Sequence, residues 1–152
     1  MKHVAVAIMF MCSICATAQQ DTSRVYRSTE VDAKPNLKDG MYTLTKFIGN
    51  NFVFPPNLAH KQVRIFTSFI VETDGSMSDI KAFYISVKDI TPGDQSAVMT
   101  DAQKAEEQAK YLSMQAEAAR VLHLFKERWI PAQLEGKPVR CLYNHPVNFS
   151  LE

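Results

Sequence analysis

Val139-Arg-Cys-Leu-Tyr-Asn-His-Pro-Val-Asn-Phe-Ser-Leu151 runs in strict alternation. Val139, Cys141, Tyr143, His145, Val147, Phe149 and Leu151 hold the odd positions. Arg140, Leu142, Asn144, Pro146, Asn148, Ser150 and Glu152 hold the even ones. A period of two sends successive side chains to opposite faces of an extended chain, so the segment is predicted to be a long, half-buried strand. Proline cannot donate a ladder hydrogen bond, so Pro146 predicts that the strand lies at a sheet edge or carries a bulge.

Working outward, the same period recurs where Val63, Ile65, Thr67, Phe69 and Val71 alternate with Arg64, Phe66, Ser68, Ile70 and Glu72. Thr73-Asp-Gly-Ser76 follows, and Asp-Gly is a strong hairpin turn; the return strand runs from Met77 to about Val87. Phe66 and Ile70 put apolar groups on the nominally polar face, which predicts a central strand partly covered on both sides. Met41, Leu44, Phe47 and Ile48 share one face of a helix predicted from Met41 to about Asn50, with Asp39 as N-cap and Gly49-Asn-Asn51 as stop. Phe54-Pro-Pro56 forbids its continuation.

From Met99 to Ile130 there is neither Gly nor Pro. Thr100 and Gln103 fit a capping box, and Met114, Ala118, Val121, Leu122 and Phe125 form an apolar stripe. Upstream the stripe weakens to Ala102, Ala105 and Ala109, and Glu106 and Lys110 are spaced for an ion pair on a solvated face. A long helix is predicted, buried in its C-terminal half. Trp129-Ile-Pro131 ends the helical region, and Gly136-Lys-Pro138 marks a further turn. Helix, strand, turn, strand, helix, strand is the order of a small α+β domain. The expected architecture is a small antiparallel sheet, made of a β-hairpin plus the C-terminal edge strand, with two helices packed on one face. A last strand lying beside the first makes the long helix a crossover.

Lys2 is followed by an uncharged run from Val4 to Ala18. The run is short of the roughly 20 residues that span a bilayer core. Ala16-Thr-Ala18 is the small-x-small pattern of signal cleavage, and Gln19-Gln-Asp21 is a polar flank. The expected division is a signal peptide at 1–18, a polar tail at 19–24 and one domain at 25–152. Export to the periplasm follows, with no membrane span after cleavage. Cys12 and Cys15 leave with the signal, so Cys141 has no partner for a disulfide within the chain and the fold holds by packing. The chain carries 17 basic and 16 acidic residues, and cleavage removes only Lys2 from that balance. Near-zero net charge argues against an electrostatic grip on nucleic acid or on an anionic membrane surface.

Little chemistry is advertised. His60, His123 and His145 lie at no metal-ligand spacing from one another, from Cys or from carboxylates. Cys141 shares the apolar strand face with Val139 and Tyr143, which reads as a buried structural thiol rather than a nucleophile. Asp74 and Asp79 flank a turn, where carboxylates are ordinary, and Lys104 to Lys110 is a solvated helix face. No G-x-S-x-G elbow or phosphate-cradling glycine loop occurs. No catalytic residue, metal ligand or cofactor is predicted, and the chain is read as a non-enzyme.

One ordered set of motifs remains: Val25-Tyr26, Pro35, Asp39-Gly-Met41, Leu44, Phe47-Ile48, Phe54-Pro55, Ala59, Phe69-Ile-Val71, Asp74-Gly-Ser-Met-Ser-Asp-Ile80, Trp129-x-Pro131, Gly136-Lys-Pro-Val139 and Pro146-Val-Asn-Phe149. Together they resemble the C-terminal domain of TonB proteins, the envelope energy transducers of Gram-negative bacteria, over about Val25 to Leu151. The resemblance implies a small antiparallel sheet against helices, whose last strand takes an extended segment of an outer-membrane receptor as an added strand. Strand addition of this kind works through main-chain hydrogen bonds. The matching positions are Val139, Arg140, Cys141, Leu142, Tyr143, Asn144 and His145. The implied partner is an outer-membrane TonB-dependent receptor or another envelope protein, in or modulating transmembrane transport.

The chain departs from that pattern. TonB transducers keep a membrane helix and a long proline-rich linker, whereas only Gln19 to Arg24 separate the cleavage site from the domain, which speaks against direct force transduction. The stretch after Pro55-Pro56 lacks the family's Gly-rich approach. Residues 91–110 read as an insertion that lengthens a loop and the second helix. The rival expectation is a self-associating structural envelope protein, a homodimer paired through its own C-terminal edge strand.

Overall fold

The computed structural model describes residues 23–58, 60–90 and 99–151. The predicted signal at 1–18, most of the polar tail, Ala59, the 91–98 part of the predicted insertion and Glu152 lie outside them. In chain order the elements are β1 (Tyr26–Arg27), β2 (Asn36–Leu37), α1 (Tyr42–Asn51), β3 (Lys61–Val71), β4 (Met77–Asp89), α2 (Asp101–Leu124), β5 (Trp129–Ile130), β6 (Ala132–Leu134), β7 (Lys137–Val139) and β8 (Cys141–Leu151). The described residues form an α+β fold, with two helices and a mixed four-stranded sheet in the order β1-β8-β3-β4.

The hairpin forms where Asp-Gly demands it. Gly75 sits at φ +81°, and Asp74 accepts from the Ser76 amide at 2.8 Å. A Cβ at Gly75 would fall 2.2 Å from the Trp129 carbonyl oxygen, and the Trp129 amide donates to the Gly75 carbonyl at 2.9 Å. Glycine is thus required twice, for the left-handed backbone and for the close approach of a second chain segment. β3 pairs antiparallel with β4 on one side and with β8 on the other, from Lys61↔Leu151 to Val71↔Cys141. β4 and β8 both oppose β3, so they run parallel to each other across it and α2 lies on the connection between them.

The odd residues of β3 face the main core. Val63, Ile65, Phe69 and Val71 are buried with Leu44 and Ile48 of α1, Met114, Ala118, Val121 and Leu122 of α2, and Val147 of β8. The α2 stripe read from sequence is buried throughout, and its N-terminus carries the expected capping box, with Thr100 and Gln103 bonding reciprocally. Glu106 and Lys110 pair at 3.0 Å. Further along, Lys61 bridges Asp89 and Glu107, both at 3.0 Å, which ties the exposed half of α2 to the end of the hairpin. Burial alone would lower the Lys61 pKa, but those two carboxylates override it and raise it. Tyr111 beside them is pushed up to about 12, first by burial and then by its hydrogen bond to Glu107.

Several local expectations are corrected. Asp39 does not cap α1: the N-cap position is Met41, with no side-chain cap, and Gly40 takes φ +81° before it. Gly49 and Asn50 stay helical; α1 ends at Asn51, and Phe52 turns extended ahead of Pro55. α2 ends at Leu124, five residues short of Trp129, because Phe125 turns extended and buries its ring against Phe47 at 5.2 Å. The strand predicted from Val139 begins at Cys141; Val139 belongs to β7, paired with β6 across Glu135-Gly136. Both turn residues have positive φ, 51° and 73°, the type I′ geometry that suits a two-residue hairpin loop.

Candidate functional site

Where each expected partner-binding residue lies is set by two neighbours of β8. Val139 is buried in β7 opposite Ala132. Arg140 is a bidentate clamp: Nε donates to Glu72 Oε2 at 2.6 Å and Nη2 to Oε1 at 2.9 Å, while Nη1 donates to the Ser23 carbonyl at 2.9 Å. Glu72 also accepts from Ser78 Oγ, and the Arg140 guanidinium, first among its neighbours, holds its carboxyl below the usual range. Arg140 therefore fastens the ends of β3 and β8 and the N-terminal segment together. Cys141 is buried, its thiol pushed up by burial, and Leu142 follows it. Both are paired in parallel with β1, Tyr26↔Cys141 and Arg27↔Leu142. Tyr143 and His145 turn toward the core side, half-buried, whereas Asn144 is exposed.

The backbone explains which of these groups is free. The Tyr26 amide donates to the Arg140 carbonyl at 2.9 Å, so Arg140 turns its main-chain groups away from β3. Alternate residues of a strand turn the same way. Leu142, Asn144, Pro146, Asn148 and Ser150 thus present their backbone to the outer edge, and the odd residues present theirs to β3. β1 stops at Arg27, opposite Leu142. Beyond it, no described strand lies on the outer side of β8 at Asn144, Pro146, Asn148 or Ser150, and their side chains are exposed. Pro146 falls at the one parity where its missing N–H costs β3 nothing, although β8 lies between β1 and β3 and is not the outermost strand that its sequence predicts.

The open edge is longer toward the C-terminus than the motif resemblance implies. Asn148 and Ser150 belong to it, and sequence reasoning stopped short of both. Only the unbroken alternation past Pro146 carried that signal. The same reasoning missed β1, since Tyr26-Arg27 is too short to show a period.

Asn148 and Ser150 also line an open groove of about 460 Å³ on the outward face of the sheet, with Gln62, Arg64, Phe66, Tyr84, Ser86 and Lys88. A register shift opposite Phe66/Thr67 brings both Phe83 and Tyr84 beside the Phe66 ring, with centroids 6.4 and 5.6 Å away. Phe83 and Tyr84 remain 59% and 56% exposed. Arg64 Nε donates to Asn148 Oδ1 at 2.7 Å. Among the described residues no carboxylate pairs with Arg64 or Lys88, so this part of the face is positive.

His145, half-buried, has its pKa lowered by burial, which favours the neutral ring. Among the described residues no group of His, Cys, Asp and Glu is gathered to hold a metal ion, and no helix is long and apolar enough to cross a membrane. Comparison with protein-family models, curated proteins and solved structures finds no match to this chain.

Proposed function

We propose that this chain is an exported, non-enzymatic protein-binding module that takes an extended segment of an envelope protein as an added strand on the outer edge of β8. The outward-turned backbone groups between Asn144 and Ser150, which no described strand pairs, carry the reading, in a strand held in register against β3 along its whole length. Such an edge offers donors and acceptors at fixed spacing, and a peptide that pairs with them replaces water with main-chain bonds. The motif resemblance to TonB C-terminal domains supports the choice of partner, a TonB-dependent outer-membrane receptor, and of compartment, the periplasm. The test is a binding titration against receptor plug domains and TonB-box peptides, repeated with Asn144→Pro. That substitution removes one outward N–H and leaves the bonds to β3 intact. Measurable binding by the wild type, lost in a folded Asn144→Pro variant, is expected. No binding to any plug or peptide overturns the assignment.

Self-association through the same edge is the second reading. Its support is that Cys141 to Leu151 contains no Asp, Glu, Lys or Arg to discourage pairing with a second copy. Light scattering over a concentration series separates the two, since a strict monomer at high concentration rules self-pairing out.

A further inference from the structure

We infer that the strand accepted at the β8 edge carries a carboxylate beside Asn148, read by Arg64. The inference rests on strand addition at that edge and specifies the chemistry of the segment added.

Arg64 lies on β3, directly across from Asn148 on β8. Its Nε donates to Asn148 Oδ1 at 2.7 Å, so the guanidinium leans off its own strand and over β8, toward the open edge. Among the described residues nothing else takes a hydrogen bond from it, and Nη1 and Nη2 stay free to donate. A partner strand would lie about 4.8 Å beyond β8 and send every second side chain onto this same face. The partner residue beside Asn148 is then two strand spacings from the Arg64 backbone. A Glu or Asp side chain reaching inward and a guanidinium reaching outward meet over Asn148. Arginine suits the task, because its planar fork accepts a carboxylate with two parallel hydrogen bonds.

The surroundings favour an acid there and disfavour a base. Lys88 shares the groove and adds to its positive potential. The described acids of this face lie at its other end and already have partners. Glu72 is clamped by Arg140, and Asp79 pairs with Lys81 at 2.8 Å. Arg64 thus stands beside the edge as a cation whose counter-charge the described part of the chain does not supply.

A phage-displayed library of random peptides about nine residues long, near the usual strand length, selected against the purified full chain, tests this. Selected peptides are expected to alternate apolar and polar residues, with Asp or Glu fixed at one position. Affinity for such a peptide should fall roughly fivefold in Arg64→Gln, the scale of a partly exposed ion pair. Arg64→Lys should recover part of the loss. Wild-type affinity should weaken more steeply with added salt than that of Arg64→Gln, in which Lys88 alone remains, a difference that a packing role for Arg64 would not produce. Peptides that need the Asn144 amide but show no fixed acid, or whose acid is indifferent to Arg64→Gln, overturn the inference and leave the edge reading standing. A library that yields no binder, or only binders indifferent to Asn144→Pro, overturns both.

Discussion

β4 and the stretch of β8 that β1 leaves uncovered face the same hazard and meet it differently. β4 borders β3 through a register that shifts twice, with Asp79 in the left-handed region at φ +47° and Lys81, Lys88 and Asp89 along it. Bulges and charges of this sort keep an exposed strand from pairing with strangers. β8 keeps one register against β3 over all 11 residues and carries no formally charged side chain. Among the described residues its only guards are Pro146 and the two residues of β1. A chain able to roughen one edge has left the other smooth, and smoothness is what an added strand requires. The contrast can be broken or sharpened by mutation.

The largest effect is expected at Gly75, from which the whole contrast hangs. Gly75→Ala forces an L side chain onto φ +81° and drives its Cβ into the Trp129 carbonyl. The hairpin and the β5 segment cannot both keep their places, so urea denaturation should register a loss of about 3 kcal/mol or more. A loss under about 1 kcal/mol would mean that the turn does not organise the two edges.

Next comes the covered end of β8. Arg140→Met leaves the Glu72 carboxylate, only partly exposed, with Ser78 as its remaining side-chain partner. Stranding a charge in this way costs about 2 kcal/mol. Amide exchange should also speed up at Tyr26 and Leu142, as β1 loses its anchor through Ser23, more than at the β3-facing amides of Val147 and Phe149. The contribution depends on pH in a fixed direction. Glu72's carboxyl pKa is lowered in the folded chain, so the stabilisation is complete above the unfolded value of 4.5 and disappears as pH falls through the lowered one.

A smaller effect belongs to His145, in the middle of the open stretch. Its folded pKa lies below 6.5 because burial disfavours the imidazolium. The unfolded chain binds that proton first, so stability should hold above about pH 6.5 and decline below it until the folded pKa is reached. His145→Gln should flatten that window in a pH series of thermal melts and leave the carboxylate-driven loss below pH 4.5 in place. An unchanged profile would show that the ring is solvated and that this part of β8 packs less closely than its buried neighbours.

How much of this could be read from residues alone follows from where the period is long. The hairpin, the α2 stripe and β8 each repeat a pattern over enough positions for burial to leave its mark, and each forms close to where the sequence places it, β8 starting two residues late. The failures are local. Asp39 lost α1 to Met41, and Phe125 left α2 because its ring could be buried against Phe47, a tertiary preference with no local signature. The candidate site was half legible. Pro146 announced an edge, but β1 covers Cys141 and Leu142 through a pairing more than a hundred residues distant in sequence, which no spacing rule encodes. Arg140, read as a partner contact, turned out to be a clamp, because Glu72 lies far off in the chain and 2.6 Å away in space.

The smallest expected effect is the most direct test of the contrast, because it transplants the protection of one edge to the other. Asn144→Lys gives β8 the kind of charge that β4 already carries. Asn144 is exposed, turns its backbone outward and lies beyond the reach of β1, so nothing among the described residues depends on its side chain. Urea unfolding should move by no more than about 0.5 kcal/mol, as for other surface substitutions. Light scattering at high concentration should show any self-association of the wild type reduced, since the lysine of each copy would face a second positively charged edge. A segment that brings its own carboxylate meets no such repulsion and should still bind. A stability loss well above that range would place Asn144 under other parts of the chain and make β8 a covered strand. The two edges would then differ in how they are hidden, and no longer in whether they are.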